Sequence, residues 1–439
     1  MDVAGRFQLS KRSEGSDRAV RLLARVAANS VPYYRDLFSR SDLKPDSIDS
    51  VESLRSLPVT PRGRIAELPC QSYLREGVNK KHLSWNRTSG STGAPLTVYL
   101  SRAEYYYRLL LLARAVRARF PHCLPTRIAD VGRIASRRKP LLTQRMGPVL
   151  LTRVPGNVPI SEQVELYVGS RPQLVEGYAS SLALLAQELS ERMKYPRPRW
   201  VISRGEVLSD ETRRLIAEVF ECPVADFYNS EEVGNMAWEC RDRPGILHVN
   251  TDACVLELLD DQGAPIPHGV EGRVVVTNLY NQTMPFIRYD IGDHATWDNQ
   301  SSHTCSCGAA TPTLSSVEGR TDDYILLPDL RRVSPRVVQQ SVNRGTTSVT
   351  LSGGREPHAL QFQVLQEEIG TADVRIVPRG VLPERLEESL AVEFHKLHPE
   401  FSVRLSVVED IPTESSGKPK RIISRVPQQS EIHPADLTP

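Results

Sequence analysis

The hydrophobic period of the chain changes several times, and each change marks a new section. Residues 17–29 carry Val20, Leu22, Leu23, Val26 and Ala27 at helical spacing, so a helix is expected there after a polar, loose segment over residues 1–16. Pro32-Tyr33-Tyr34 interrupts it, and a second short helix starts at Arg35. Pro45, Pro58 and Pro61 punctuate the next stretch, which wraps and does not repeat. Residues 96–100 read as a strand. Residues 102–120 read as a long helix whose apolar face is Tyr106, Leu109, Leu110, Ala113 and Val116.

A strand and helix rhythm follows. The strand pattern at 173–178 precedes a helix at 181–193, and that at 200–203 leads through Arg204-Gly205-Glu206 to a helix at 210–220. A further strand is expected at 223–228. Such alternation predicts an α/β layer with ligands at the strand ends. Between 253 and 278 the period becomes two, and Asp260-Asp261-Gln262-Gly263 supplies a turn between 255–259 and 273–276. This hairpin is expected within a barrel-like region. Beyond Gly319-Arg320-Thr321-Asp322 the pattern restarts, with strands at 349–351, 361–365 and 403–408 and one clear helix at 384–396, as in a small α+β domain. The expected organisation is therefore a large N-terminal α/β domain over 1–321, a small C-terminal domain over 322–425, and a polar, disordered tail over 426–439.

Composition narrows the class. With 439 residues, 40% hydrophobic and 25% charged, the chain has the make-up of a soluble protein with more than one core. Lys+Arg 55 against Asp+Glu 53 leaves a net charge of only +2, so no global field draws in nucleic acid or an anionic membrane. Arg127, Arg133, Arg137, Arg138, Lys139 and Arg145 form a basic cluster almost without aromatics, which reads as a solvated face before a site for a phosphorylated partner. No signal-peptide core and no apolar run of roughly 18 residues is seen, so a cytoplasmic location is expected. Seven irregularly spaced cysteines argue against a disulfide framework and leave metal binding or burial.

Arg87-Thr88-Ser89-Gly90-Ser91-Thr92-Gly93-Ala94-Pro95 has the composition of a phosphate cradle, and equally that of a plain Ser/Gly turn. It matches neither the P-loop nor the dinucleotide fingerprint. Five more polar punctuation points lie at strand ends or near the C-terminus. They are Gly205-Glu206, Tyr228-Asn229-Ser230-Glu231-Glu232, Arg288-Tyr289-Asp290-Ile291-Gly292-Asp293, Gly319-Arg320-Thr321-Asp322-Asp323 and Ser416-Gly417-Lys418-Pro419-Lys420. In this order they resemble the core motifs of the adenylate-forming superfamily, specifically the phenylacetate–CoA ligase family with its coenzyme F390 synthetase-like and CapK-like relatives. Val31-Pro32-Tyr33-Tyr34-Arg35 and Leu57-Pro58-Val59-Thr60 also look like opening segments of that family, so the resemblance covers almost the whole chain.

The resemblance implies ATP-dependent activation of a carboxylic acid to an acyl-adenylate, release of pyrophosphate, and transfer of the acyl group to a nucleophile. It places Thr88, Ser89, Gly90, Ser91, Thr92 and Gly93 on the β- and γ-phosphates of ATP, and Gly205, Glu206, Tyr228, Asp293 and Arg320 around the nucleotide, with the last two at the ribose. Glu232 matches the Mg²⁺-ligating glutamate, Asp322 the hinge of the C-terminal lid domain, and Lys418 the lid lysine that reaches the reacting groups; Lys420 and Arg421 are neighbouring alternatives. The acid pocket is implied around Tyr178, Ala179, Ser180, Gly205 and Tyr228, whose tyrosines would suit an aromatic acid and equally serve as packing.

The motifs depart from the family at Ala94, where many members have Lys, at Asn229 and Glu231, and after the hinge, where an Arg-Gly pair is missing. CoA is the implied acceptor, and an amine or alcohol acceptor and an inactive adenylate-binding protein stay open, as does a homodimer. Separately, Cys240, His248, Cys305 and Cys307 have the make-up of a Cys₃His structural Zn²⁺ shell, or of unrelated buried thiols; similar elements in the family favour zinc.

Overall fold

The structure is a computed structural model and describes residues 3–88, 96–122, 124–133, 142–301, 304–349, 355–357, 359–378, 380–412 and 419–426. The chain divides into two compact units, one of residues 1–125, 136–140 and 225–317, the other of residues 126–135, 141–224 and 318–439.

In the first unit, a single helix, Val3–Ser30, covers the segment expected to be loose. Polar composition lowers burial without breaking a helix, and no proline occurs before Pro32. The helix buries Val20, Leu23, Ala24 and Ala27 against Tyr34, Phe38, Leu54 and Leu57, while Leu22 stays exposed. Pro32 opens the next helix, Pro32–Arg40, at the position where a missing N–H costs nothing.

The helix Arg102–Arg119 starts on a reciprocal capping box between Ser101 and Glu104. Its buried face is Leu111, Ala115 and Val116, whereas Tyr106 and Leu110, expected inside, are exposed. The run from Tyr105 to Leu112 is apolar on almost every side, so periodicity could not select a face. Arg108 and Arg114 on this helix are bound inward instead, to the carbonyls of Ser230 and Glu231 and to Asn250 and Asp252 respectively.

The strands Cys254–Leu259, Glu271–Asn278, Tyr289–Trp297, Thr313–Arg320, Leu247–Val249, Gly234–Glu239 and Val224–Ser230 lie side by side in that order. The expected hairpin is present, with Leu258 opposite Val274, and Asp260 Oδ1 accepts from the N–H groups of Gln262 and Ala264 to close its turn. The core under these strands includes Met236, Val274, Val276, Phe286, Tyr289 and Leu314. A two-residue strand, Thr60–Pro61, pairs in parallel with Tyr289–Trp297.

The second unit holds parallel strands in the order Trp200–Arg204, Leu174–Gly177, Arg127–Val131 and Val149–Val154, with Thr143–Met146 antiparallel at the edge. Helices Ile160–Ser170, Ala179–Ser190 and Asp210–Phe220 pack on them around Val131, Tyr167, Leu182, Leu185, Ile216 and Phe220. This is the expected α/β layer. Arg137, Arg138 and Lys139 of the basic cluster lie outside the described residues.

The C-terminal section has its own core, including Val338, Val364, Val374, Leu390 and Phe394, under the sheet Ser402–Val407, Thr371–Pro378, Ala359–Gln366 and Ile422–Ser424. It carries two helices and not one. The second, Pro335–Gly345, carries local helix signals, with Ser334 as its cap and Pro335 at its start, and Val338, Gln339 and Val342 are buried. The expected strand at 349–351 is Thr347–Val349, Leu351 lying outside the described residues with the tail 427–439. Asn343 Nδ2 donates to Ser209 Oγ at 2.8 Å, tying this section to the α/β layer of the same unit. Among the described residues no helix is long and apolar enough to cross a membrane.

Arg288 is a test of what holds the first unit together. It has a left-handed φ of 43°, is 5% exposed, and reaches Glu257 at 3.0 and 3.2 Å and the carbonyls of Leu57 and Arg55 at 2.5 and 3.1 Å. Arg288→Met strands the Glu257 carboxylate and is expected to cost about 3–5 kcal/mol in denaturant unfolding. A loss below about 1 kcal/mol would show that this pair is not buried in solution.

Candidate active site

In the first unit the site is built on the tight connection between Val224–Ser230 and Gly234–Glu239. Gly234 has φ of +88°, and a Cβ there would lie 2.9 Å from Arg108 Nε and 3.0 Å from Tyr280 Oη. Only glycine fits that space. The two neighbours that forbid a side chain also hold the turn, Arg108 through the Ser230 and Glu231 carbonyls and Tyr280 Oη through the Val233 carbonyl at 2.6 Å.

Glu232 at the centre of this turn is 3% exposed. Its carbonyl accepts from Asn278 Nδ2 at 3.0 Å, and its Oε1 lies 3.3 Å from both Tyr289 Oη and Arg62 Nη1. Tyr228 Oη donates to Asp293 Oδ2 at 2.7 Å. Three residues singled out in the sequence, Tyr228, Glu232 and Asp293, thus share one set of adjoining strands. Thr88 is buried and closes the base of its loop, its N–H donating to the Leu96 carbonyl and its Oγ1 accepting from the Leu96 N–H, both at 2.9 Å. Ser89, Gly90, Ser91, Thr92 and Gly93 lie outside the described residues, as does Lys418.

In the second unit Tyr178, Ala179 and Ser180 form the start of Ala179–Ser190, directly after the strand Leu174–Gly177. The Ser180 N–H and hydroxyl donate to the two oxygens of Glu206 at 2.9 and 3.0 Å. The Glu206 carboxylate therefore sits at the positive end of that helix. Gly205 has φ of +77°, and a Cβ there would come within 3.0 Å of the Tyr178 ring.

Beneath these residues, Arg204 Nη2 bridges Asp130 Oδ1 at 2.9 Å and Glu176 Oε1 at 3.2 Å, as the parallel register of Asp130 opposite Glu176 allows. Burial pushes the Glu176 carboxyl above its usual value, and the nearby Arg204 charge opposes this only in part. In the C-terminal section Arg320 ends its strand and Asp322 lies in the short helical turn Thr321–Asp323. Arg421 is held below the usual arginine range by burial, with the Glu206 charge opposing, and its guanidinium lies 4.9 Å from the Phe362 ring centre.

The four residues Cys240, His248, Cys305 and Cys307 also come together, their ligand atoms all within 4.8 Å of one another. Cys240 Sγ lies 3.5 Å from Cys305 Sγ and Cys307 Sγ lies 3.3 Å from His248 Nε2. Burial holds the His248 imidazole low, in its neutral form, and pushes the Cys307 thiol up to about 12. Burial also opposes ionisation of Cys305, but hydrogen bonds from the Cys307 backbone and the neighbouring thiols outweigh it and lower that thiol.

Sequence reasoning missed Arg62, Arg108 and Asn278. Each reaches the Glu232 turn from a distant part of the chain, and none stands in a motif with a chemical signature.

No family model matches the chain. Solved structures share its fold: 2-hydroxyisobutyryl-CoA ligase, in the postadenylation state in complex with 2-HIB-AMP, superposes with a TM-score of 0.74 at 18% identity, covering 94% of this chain and 90% of that one. The fold is that of the adenylate-forming ligases. By sequence the chain is 26% identical over 334 residues to a phenylacetate-coenzyme A ligase of Thermus thermophilus, covering 72% of each. It is also 25% identical over 454 aligned positions to one of Aromatoleum evansii, covering 96% of this chain and 97% of the other. The chain thus shares the fold of the adenylate-forming ligases and is similar in sequence to phenylacetate-coenzyme A ligases.

The Asp130, Glu176 and Arg204 cluster gives a pH test. A carboxyl raised by burial lowers stability once the unfolded chain can ionise, above about pH 4.3, and the penalty grows until the folded group ionises too. Glu176→Gln is therefore expected to match the parent protein at acid pH and to gain melting temperature relative to it as pH rises to neutral. A difference in melting temperature that stays constant over that range would show that burial does not control Glu176.

Proposed function

We propose that the protein is an AMP-forming ligase that activates a carboxylic acid and passes it to CoA. The acid's carboxylate oxygen attacks the α-phosphorus of ATP, the bond to pyrophosphate breaks, and an acyl-adenylate remains. The CoA thiol then attacks the acyl carbon, the bond to AMP breaks, and the thioester leaves with AMP. The observation that carries this reading is the placement of Tyr228, Glu232 and Asp293 on one set of adjoining strands, in a chain that aligns end to end with a phenylacetate-coenzyme A ligase.

In this mechanism the protein supplies position and charge, so no covalent nucleophile on the enzyme is needed. Asp293, oriented by Tyr228, accepts from the ribose hydroxyls, and Arg320 approaches the same sugar. Thr88 fixes the base of the phosphate loop, whose Ser89, Gly90, Ser91, Thr92 and Gly93 would offer N–H groups and hydroxyls to the β- and γ-phosphates. Glu206 and Gly205 border the acid pocket with Tyr178, Ala179 and Ser180. Lys418 is assigned to the charge developing at the reacting oxygens and Asp322 to the hinge of the lid over 322–425.

Glu232 is a suitable Mg²⁺ ligand, since a buried carboxylate oxygen matches a hard cation. Mg²⁺ held there would neutralise the phosphates and make pyrophosphate a better leaving group. CoA is favoured over an amine or alcohol acceptor because the aligned relatives bear the CoA-ligase name.

Cys240, His248, Cys305 and Cys307 fit a structural Zn²⁺ ion. Their 3.5 and 3.3 Å separations approach the roughly 3.8 Å edge expected when sulfurs sit about 2.3 Å from a tetrahedral ion. His248 Nδ1 faces Thr311 Oγ1 at 3.3 Å, a contact that would orient the ring. Four protein ligands leave no open position, so the ion would clamp the loop around residue 305 to the strands bearing Cys240 and His248 and take no part in the reaction.

Two measurements test these assignments. Pyrophosphate exchange over a panel of aromatic and aliphatic acids is expected to occur with at least one of them. It should fall by about a hundredfold or more in Glu232→Gln and Lys418→Ala, both still folded; exchange with no acid would overturn the activity. Metal analysis is expected to find about one zinc per chain, and Cys307→Ser to lose it along with melting temperature. Well under half an equivalent in the parent protein would count against the zinc site.

A further inference from the structure

The Glu232 carboxylate is held by Tyr289, from one of the sequence motifs, and by Arg62, which stands outside them and is the charged donor. Thr60–Pro61 pairs with Tyr289–Trp297 so that Pro61 lies opposite Asp290, which delivers Arg62 to the backbone of Asp290, Ile291 and Gly292. Its Nη1 lies 3.3 Å from Glu232 Oε1 and 3.5 Å from the Ile291 carbonyl oxygen, and its side chain is 16% exposed against 3% for Glu232. Tyr289 Oη points at the same oxygen. A carboxylate so far from water keeps its charge only beside a cation. Among the described side chains Arg62 makes the ion pair with it.

We infer that Arg62 is the resident counter-ion of Glu232 and trades places there with the divalent cation that accompanies the nucleotide. This rests on the reading of Glu232 as the carboxylate that faces that cation. Without nucleotide, the guanidinium neutralises Glu232 and keeps a divalent ion from binding by itself. A doubly charged ion at Oε1 would sit against the guanidinium in a poorly solvated site, where like charges repel strongly. Arg62 therefore leaves the carboxylate when the ion arrives. The triphosphate is the anion that can receive it, since the guanidinium fork suits phosphate oxygens. The cation and the nucleotide bind cooperatively as a result, and Arg62 carries the coupling.

Mn²⁺ binding followed by electron paramagnetic resonance, above neutral pH, reads this directly. The full-length protein is measured alone and with the α,β-methylene analogue of ATP. The parent protein is expected to bind Mn²⁺ weakly alone and tightly with the analogue. Arg62→Gln should bind Mn²⁺ alone about tenfold more tightly than the parent and lose most of the enhancement by the analogue. Arg62→Lys, with a single strongly hydrated ammonium, should fall between the two, and it supplies the test if the Gln variant does not fold. A purely structural arginine would change the melting temperature and leave metal affinity alone. Unchanged Mn²⁺ affinity in the Arg62 variants, while Glu232→Gln abolishes binding of Mn²⁺ with the analogue, overturns the inference and leaves the reading of Glu232 standing. Undiminished binding in Glu232→Gln overturns that reading and the inference with it.

Discussion

The burial of one carboxylate, Glu232, constrains much of the first unit. At 3% exposure it needs both a counter-charge and hydrogen bonds, and these arrive from Arg62 and Tyr289. Its backbone is gripped as firmly as its side chain: Asn278 takes the carbonyl, while Arg108 and Tyr280 take the carbonyls on either side. The strands that bring Tyr289 and Asn278 to the turn also place Asp293 against Tyr228. A group that sees water so little can be aimed accurately, because each of its neighbours is already committed.

The second unit handles its carboxylates differently. Glu206 is stabilised by the N-terminus of Ala179–Ser190, through the Ser180 N–H and hydroxyl. Asp130 and Glu176 are both bridged by the Arg204 guanidinium, and burial, with the Asp130 charge adding to it, leaves Glu176 reluctant to ionise. Asp130, Glu176 and Arg204 lie one or two residues before Gly132, Tyr178 and Gly205, at the carboxyl ends of parallel strands, where open α/β sheets commonly bind their ligands.

Much of this was legible in the linear order of short motifs. Each of the turns at 205–206, 228–232 and 319–323 is local, and its glycine or acidic residues announce a strand end whatever lies far away; the motif at 288–293, expected at a strand end, instead runs into the strand Tyr289–Trp297. The hairpin at 254–278 and the helices at 179–190 and 210–220 were legible for the same reason, with pattern and turn chemistry agreeing. The inward face of Arg102–Arg119 was not, because its apolar run surrounds the helix and two inward-bound arginines, Arg108 and Arg114, decide the orientation. Pro335–Gly345 was missed although its Ser334 cap and Pro335 start are local helix signals.

The sequence by itself determined the fold class and the order of the motifs, and it singled out Cys240, His248, Cys305 and Cys307, which the fold then brings together. All of these depend on residue type and on patterns that repeat over short distances. Only the tertiary structure decided which cation faces Glu232. Arg62 and Glu232 are 170 residues apart, and what joins them is the two-residue pairing of Thr60–Pro61 with Tyr289–Trp297. A contact of that kind follows from strand register and burial across the whole unit, and those are properties of the folded chain alone.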